Sequence, residues 1–237
     1  MQKGEFLYEG KAKRIYATEE PNVFWMEFKD DATAGNGQKR GTIGDKGRIN
    51  AEITQRVFEH LERGGVRTHL LRQESPTVLL VKKLEMFRLE IVVRNIAAGS
   101  LVKRIGLEEG REMPEPIVEI YLKDDELGDP LVNDDHVKAL GLATEVELAA
   151  LKAAARKVND LLRPYFLDRG LLLVDFKLEF GKEDGQIVLG DEVTPDTCRF
   201  WDEKTREKLD KDRFRQDLGG VEEAYQEVLR RVDEPHA

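Results

Sequence analysis

Residues 171 to 202 read LLLVDFKLEFGKEDGQIVLGDEVTPDTCRFWD. Their first half alternates apolar Val174, Phe176, Leu178 and Phe180 with charged Asp175, Lys177 and Glu179. That is the period of a β-strand, and it predicts four side chains in a core with three charges on the opposite face. Gly181 to Gly185 then turns the chain into a second strand. A five-residue loop, with Phe180 paired to Gln186, sets Asp191 across from Asp175 on the charged face. A two-residue turn at Glu183 and Asp184 instead sends Asp191 to the other face. Two carboxylates about 5 Å apart repel by roughly 3 kcal/mol at an effective dielectric near 20, so three of them around one lysine ask for a cation. Oxygen ligands on rigid strands suit magnesium, which keeps several waters and bridges to phosphates. The competing reading is a solvated edge hairpin with idle surface charges.

The rest of the chain supplies a setting for such a site. Its 237 residues are enough for one large domain or two lobes. Cys198 is the only cysteine, which excludes an internal disulfide framework and any paired-cysteine zinc site, and favours a reducing cytoplasm. The first fifteen residues, MQKGEFLYEGKAKRI, are charged throughout, and apolar runs such as LLLV at 171 to 174 are too short to span a bilayer. The expectation is a cytoplasmic protein with no membrane partner. A net charge of −9 argues against nucleic-acid binding, which needs a basic surface to displace counterions. Against that acidic background, Lys11 to Arg14 and the arginines at 94, 104 and 199 stand out as sites for small anions.

Short extended segments at Phe6 to Glu9, Arg14 to Ala17 and Asn22 to Phe28 predict a β-meander. Residues 31 to 44, DATAGNGQKRGTIG, carry four glycines and no apolar period, and are expected to be a mobile loop able to act as a lid. Ile49, Ile53, Val57, Phe58 and Leu61 recur at helical spacing from Asp45 to Arg63, with Gly64 and Gly65 as the stop. Strands are expected at Thr77 to Leu84, Arg88 to Asn95 and Ile117 to Leu122. Residues 106 to 137 read as the passage to a second lobe. Thr144 and Glu147 form a capping box for a helix from Glu145 to about Asp168, which Pro164 should bend or end early. A last helix runs from about Gly220 to Val232. This order, β-rich, then mixed, then helical, argues an α+β protein in two lobes.

YEGKAKRIY at 8 to 16 joins two strand-like pieces through a glycine and three cations, a turn suited to gripping polyphosphate. In VVRNIAAGSLVKR, residues 92 to 104, a strand ends near Arg94, small residues admit a ligand to the backbone, and Ser100 can open a helix. An arginine and a free hydroxyl there suit a phosphate. Taken with LVDFKLEFG (173 to 181), LGDEVTPDTCRFWD (189 to 202) and DKDRFRQDLGG (210 to 220), these motifs make the chain resemble the SAICAR synthetase family, the phosphoribosylaminoimidazole-succinocarboxamide synthases. The resemblance covers nearly the whole sequence.

That resemblance implies a two-lobed ligase, dependent on ATP and magnesium, that joins carboxyaminoimidazole ribonucleotide to L-aspartate. Residues 1–85 would form a β-rich ATP-binding lobe and 86–237 a mixed α/β lobe, with the nucleotide in the cleft between them. It implies phosphate-gripping roles for Lys11 and Lys13 and an adenine-binding segment at Lys82, Leu84 and Met86. Glu179 and Asp191 would hold magnesium on ATP, and Asp175 and Lys177 would face the reacting groups. Arg94, Ser100, Arg199 and Arg215 would hold the 5′-phosphate, and Lys123 would contact substrate. Family habit favours a homodimer. A small-molecule kinase of similar build and a non-catalytic nucleotide-binding regulator are the alternatives.

Overall fold

A computed structural model describes residues 1–34 and 39–234 of the chain. The N-terminal segments form strands β1 (Lys3–Glu9), β2 (Lys13–Thr18) and β3 (Val23–Phe28), then a small hairpin of β4 (Asp31–Ala34) and β5 (Lys39–Thr42). Helix α1 (Lys46–Arg63) and strands β6 (Leu70–Ser75) and β7 (Val78–Lys82) follow. They build an antiparallel sheet in the order β1-β2-β3-β7-β6. Turn residues set its corners: Gly10 between β1 and β2, Pro21 and Asn22 before β3, Pro76 between β6 and β7. The periodic side chains of α1, Ile49, Ile53, Val57, Phe58 and Leu61, are fully buried and pack against β3, β6 and β7.

The expected loop at 31 to 44 is corrected here. Asp31 pairs with Thr42 and Ala34 with Lys39, so most of it is a β-hairpin; residues 35–38 lie outside the described residues. Alternation is absent from its sequence because only Ala32 of these strands is buried.

The chain passes to a second sheet between β7 and β8 (Glu85–Ile96), not at 106 to 137 as expected. After β8 come α2 (Ser100–Ile105), β9 (Glu112–Leu122), β10 (Leu131–Val132), α3 (Asp134–Ala139) and α4 (Glu145–Leu167). Then follow β11 (Leu171–Glu183), β12 (Gln186–Leu189), β13 (Cys198–Asp202), α5 (Asp212–Arg215) and α6 (Val221–Asp233). The strand order is β10-β9-β8-β11-β12, with β13 also paired to β11. Thr144 and Glu147 cap α4 reciprocally, and the helix runs through Pro164 to Leu167 rather than stopping at the proline. Its stripe of Leu148, Leu151, Ala155, Val158, Leu162 and Phe166 is buried on β8, β9 and β11. Each of the larger side chains there contributes about 1.5–3 kcal/mol of burial.

Two details of β11 differ from the sequence reading. A bulge between Leu173 and Asp175 shifts the strand's alternation. Phe176, Leu178 and Phe180 enter the main core, whereas Val174 joins a small separate cluster with Ile96, Ala98 and Trp201. The hairpin is tighter than the five-residue loop: Glu183 pairs with Gln186 and Phe180 with Leu189. Its two turn residues are Asp184 and Gly185, with φ of 51° and 73°. Positive φ at both is the turn that matches strand twist, and Asp-Gly is the pair that adopts it.

Candidate active site

A cavity of about 690 Å³ is lined from both sheets. On one side Ile15, Phe24, Met26 and Val81 present an apolar surface. Ile15 faces Met26 in register and Phe24 faces Val81, so the four share one face of the first sheet. The crossing segment adds Lys82, Leu84 and Met86. Met86 is 41% exposed, unusual for a large apolar residue with a cavity at its side. Gly181 lets this segment lie close against β11: a Cβ there would stand 2.6 Å from Leu84 Cβ and 3.0 Å from Met86 Sδ. The result is an apolar slot along one side of the cavity.

Beside the slot lie charges from several parts of the chain. Lys13 of β2 donates to Asp191, and to Glu192 at 2.7 Å. Lys177 of β11 donates to Glu90 of β8 and to Glu179, each at 2.9 Å. Lys123, just past β9, donates to the other Glu179 oxygen. Lys11 reaches Asp125 at 2.7 Å, and Lys82 reaches Glu183 at 3.0 Å. Burial favours the neutral form of Lys13 and Lys177, but the carboxylates around them outweigh it and raise both above the ordinary lysine value. Burial likewise opposes ionisation of Asp191, yet Lys13, Lys177 and Lys123 hold its carboxyl well below the usual range. Lys13, Lys177 and Asp191 therefore keep their charges at neutral pH.

Asp191 arrives by a route that the strand register does not provide. β12 ends at Leu189, Gly190 N–H donates to Glu179 O at 2.9 Å, and Asp191 adopts a φ of 55° that turns the chain toward the cavity. Buried His69 donates from Nε2 to the Asp191 carbonyl, 3.2 Å away, and fixes that turn. Burial lowers the His69 pKa to about 4, so the ring is neutral and stays a donor at one nitrogen only.

Asp175 is set apart from Lys177 and Glu179, and is not among the residues lining the cavity. It accepts from Arg94 Nη1 at 2.8 Å and from Arg199 Nη1 at 2.9 and 3.1 Å. Arg199 continues to Asp212 at 2.8 Å, and Asp212 to Arg215 at 2.6 Å. Arg94 also holds Glu119 at 2.6 Å, Tyr121 at 3.0 Å and the Ser100 hydroxyl at 3.2 Å. Gly99 is what lets Arg199 lie beside α2: its φ is 57°, and a Cβ there would fall 2.5 Å from Arg199 Nη2. The expected phosphate-binding set, Arg94, Ser100, Arg199 and Arg215, is therefore one connected group. Asp175 lies at the centre of that group, its oxygens accepting from two guanidiniums. It stands four residue steps from Glu179, roughly 13 Å along β11.

The family model for SAICAR synthetase matches residues 6–232. The chain belongs to the SAICAR synthetase family. The phosphoribosylaminoimidazole-succinocarboxamide synthase of Brevibacillus brevis is 58% identical over 233 residues, covering 98% of each chain. That of Desulfitobacterium hafniense strain Y51 is 56% identical over 234 residues, covering 99% of this chain and 98% of its own. Among solved structures, a SAICAR synthetase in complex with ADP superposes with a TM-score of 0.94 at 49% identity, covering 98% of this chain and 100% of its own. The fold is thus that of SAICAR synthetases, α+β with a sheet in each half.

Several residues of these two clusters escaped the sequence reading. Glu119 and Tyr121 alternate with Val118 and Ile120 along β9, a strand signal like that of β11. Asp212 stood inside a quoted motif. Glu90 and Glu192 sit beside residues already singled out, but His69 carried no local signal at all.

Proposed function

We propose that the chain is an ATP-dependent carbon–nitrogen ligase that joins carboxyaminoimidazole ribonucleotide to L-aspartate, releasing ADP and phosphate, in purine biosynthesis. The supporting observation is the pairing, along the same strands, of a cavity with a connected group of arginines. An apolar slot floored by Lys13, Lys177 and Lys123 shares strand β11 with an arginine group centred on Asp175, so that Lys177 and Asp175 stand two residues apart. Adenine occupies the slot at Leu84 and Met86, with the polyphosphate on Lys11 and Lys13. The arginine group holds the 5′-phosphate, which the planar guanidinium fork meets bidentately. The ribonucleotide carboxylate then lies near Lys177 and the γ-phosphate.

The donor set of the cavity fits a hard cation. Among the described residues no three His, Cys, Asp or Glu side chains converge as a metal cage, so the protein offers Glu179 and Asp191 and leaves the other positions to phosphate and water. Magnesium held there would neutralise charge on the polyphosphate. The substrate carboxylate oxygen attacks the γ-phosphorus, ADP departs, and an acyl phosphate forms. The aspartate ammonium gives up a proton to water, its amine attacks the acyl carbon, and phosphate leaves and takes up the second nitrogen proton, so that an amide remains. Lys177 and Lys13, fixed as cations, stabilise charge developing on phosphoryl oxygens, so positioning and electrostatics carry the chemistry. Lys123, salt-bridged to Glu179, is a substrate contact on this reading.

The same reading assigns residues 1–85 to the nucleotide lobe and 86–237 to the substrate lobe, and makes the enzyme a cytoplasmic homodimer. No helix among the described residues is long and apolar enough to cross a membrane. A coupled ADP-release assay tests the reaction. Release should require the ribonucleotide, L-aspartate and magnesium together. Release without L-aspartate would point to a kinase, and none under any condition to a regulator.

A further inference from the structure

The loop between β12 and β13, residues 190–197, starts with Asp191 and Glu192 at the cavity and ends just before Arg199 of the arginine group. Its Asp196 side chain is 4% exposed and gathers partners from distant parts of the chain. Lys46 of α1, itself wholly buried, donates to it at 2.6 Å, and Asn50 one turn on at 2.9 Å. The hydroxyl of Tyr225, on the last helix, donates at 2.7 Å, and Lys211 stands 3.5 Å away.

From Asp196 the contacts run toward both pockets. Its backbone N–H donates to Thr194 Oγ1 at 3.1 Å, Thr194 Oγ1 donates to Glu192 at 2.8 Å, and Glu192 accepts from Lys13 at 2.7 Å. On the other side, the Lys211 N–H donates to Pro195 O at 3.1 Å, and the next residue, Asp212, holds Arg199 and Arg215. The Asp196 segment, anchored by its nearly buried carboxylate, thus joins through its backbone the network of Lys13 on one side and that of Arg199 and Arg215 on the other.

We propose that Asp196 is a positioning residue for both pockets, and that the Tyr225 hydroxyl of the C-terminal helix belongs to the same device. The inference rests on the ligase reading. Tyr225→Phe keeps the buried ring and removes the hydroxyl, and Thr194→Val cuts the path midway with little change of shape. Both are compared in the full chain with Val228→Ala, which loosens α6 packing without touching Asp196. ADP affinity is measured by calorimetry, and both Michaelis constants by the coupled assay.

Loss of one hydrogen bond to a charged group should weaken ADP binding roughly three- to thirtyfold for Tyr225→Phe, with Thr194→Val shifted the same way. The ribonucleotide Michaelis constant should rise with Tyr225→Phe, and kcat should change less. Val228→Ala should lower the melting temperature and leave these constants alone. Unchanged constants in Tyr225→Phe and Thr194→Val, or the same changes in Val228→Ala, would overturn the proposal. Wild-type protein that neither binds ADP nor turns over would overturn the ligase reading and this inference with it.

Discussion

Asp191 shows how much a single side chain depends on its surroundings. Three lysines keep it ionised against burial, a histidine fixes its carbonyl, and a positive φ aims it. Asp191→Asn keeps the shape and removes the charge, so turnover should fall about a hundredfold or more while the protein stays folded, the scale of losing one key electrostatic partner. Near-normal activity at saturating magnesium would remove Asp191 from the reaction. His69 gives a pH signature. In the unfolded chain it binds a proton below 6.5, but in the fold only below about 4. It therefore makes stability rise with pH across that window, by up to about 3 kcal/mol. Asp210 acts with opposite sign: burial, reinforced by the Asp212 carboxylate, pushes its pKa up to about 7 from 3.8, so stability falls as pH rises between those values. Urea midpoints between pH 4 and 7 should tilt downward with pH in His69→Gln relative to wild type, and upward in Asp210→Asn. Parallel profiles would refute both assignments. Lysines and carboxylates in an alternating strand were legible in sequence because their chemistry shows in one short window. His69 was not, because its partner is 122 residues away.

At the scale of elements, long helices were read closely because periodicity and capping agree over many turns. Thr144 and Glu147 announced α4, and the continuous buried stripe carried the helix past Pro164. Thr144→Ala should cost about 1 kcal/mol, seen as a drop of roughly 2–4 °C in melting temperature with activity intact. Strands were legible where they alternate or run apolar. β6 went unread, since LRQES after Leu70 holds mainly polar side chains at half or full exposure. The hairpin register was misjudged because the Asp-Gly turn signal at 184 and 185 was overlooked in favour of counting between glycines. Gly99 joins element to site. Gly99→Ala demands a disfavoured φ and collides with Arg199, so the ribonucleotide Michaelis constant should rise at least about tenfold while ADP affinity holds. This is the outcome for a misplaced positioning group. A loss confined to ADP would show that the two pockets had been exchanged.

For the whole molecule, the two-sheet plan followed from the order of strand-rich and helical segments, but the point of passage did not. It lies in the Lys83–Leu84 step, where the chain leaves one sheet for the other without a glycine or proline to mark it. A ligand seated between the sheets must bind the folded form alone. ADP at about a hundred times its dissociation constant should therefore add roughly 2.7 kcal/mol and raise the melting temperature by about 5–10 °C. A smaller shift in Gly181→Ala would agree with a slot beside Leu84. The lysines and acids of the cavity carry one more consequence. Without nucleotide each cation already has an anion of its own, so the wall is close to electrically neutral and presents little field to either a lone polyphosphate or a lone divalent ion. A visitor bearing only one sign must break a salt bridge and leave its other half stranded. One bearing both signs exchanges every partner at once, so on the proposed reading the protein would act as a detector of the neutralised nucleotide, and its own side chains would close ranks again when the product departs.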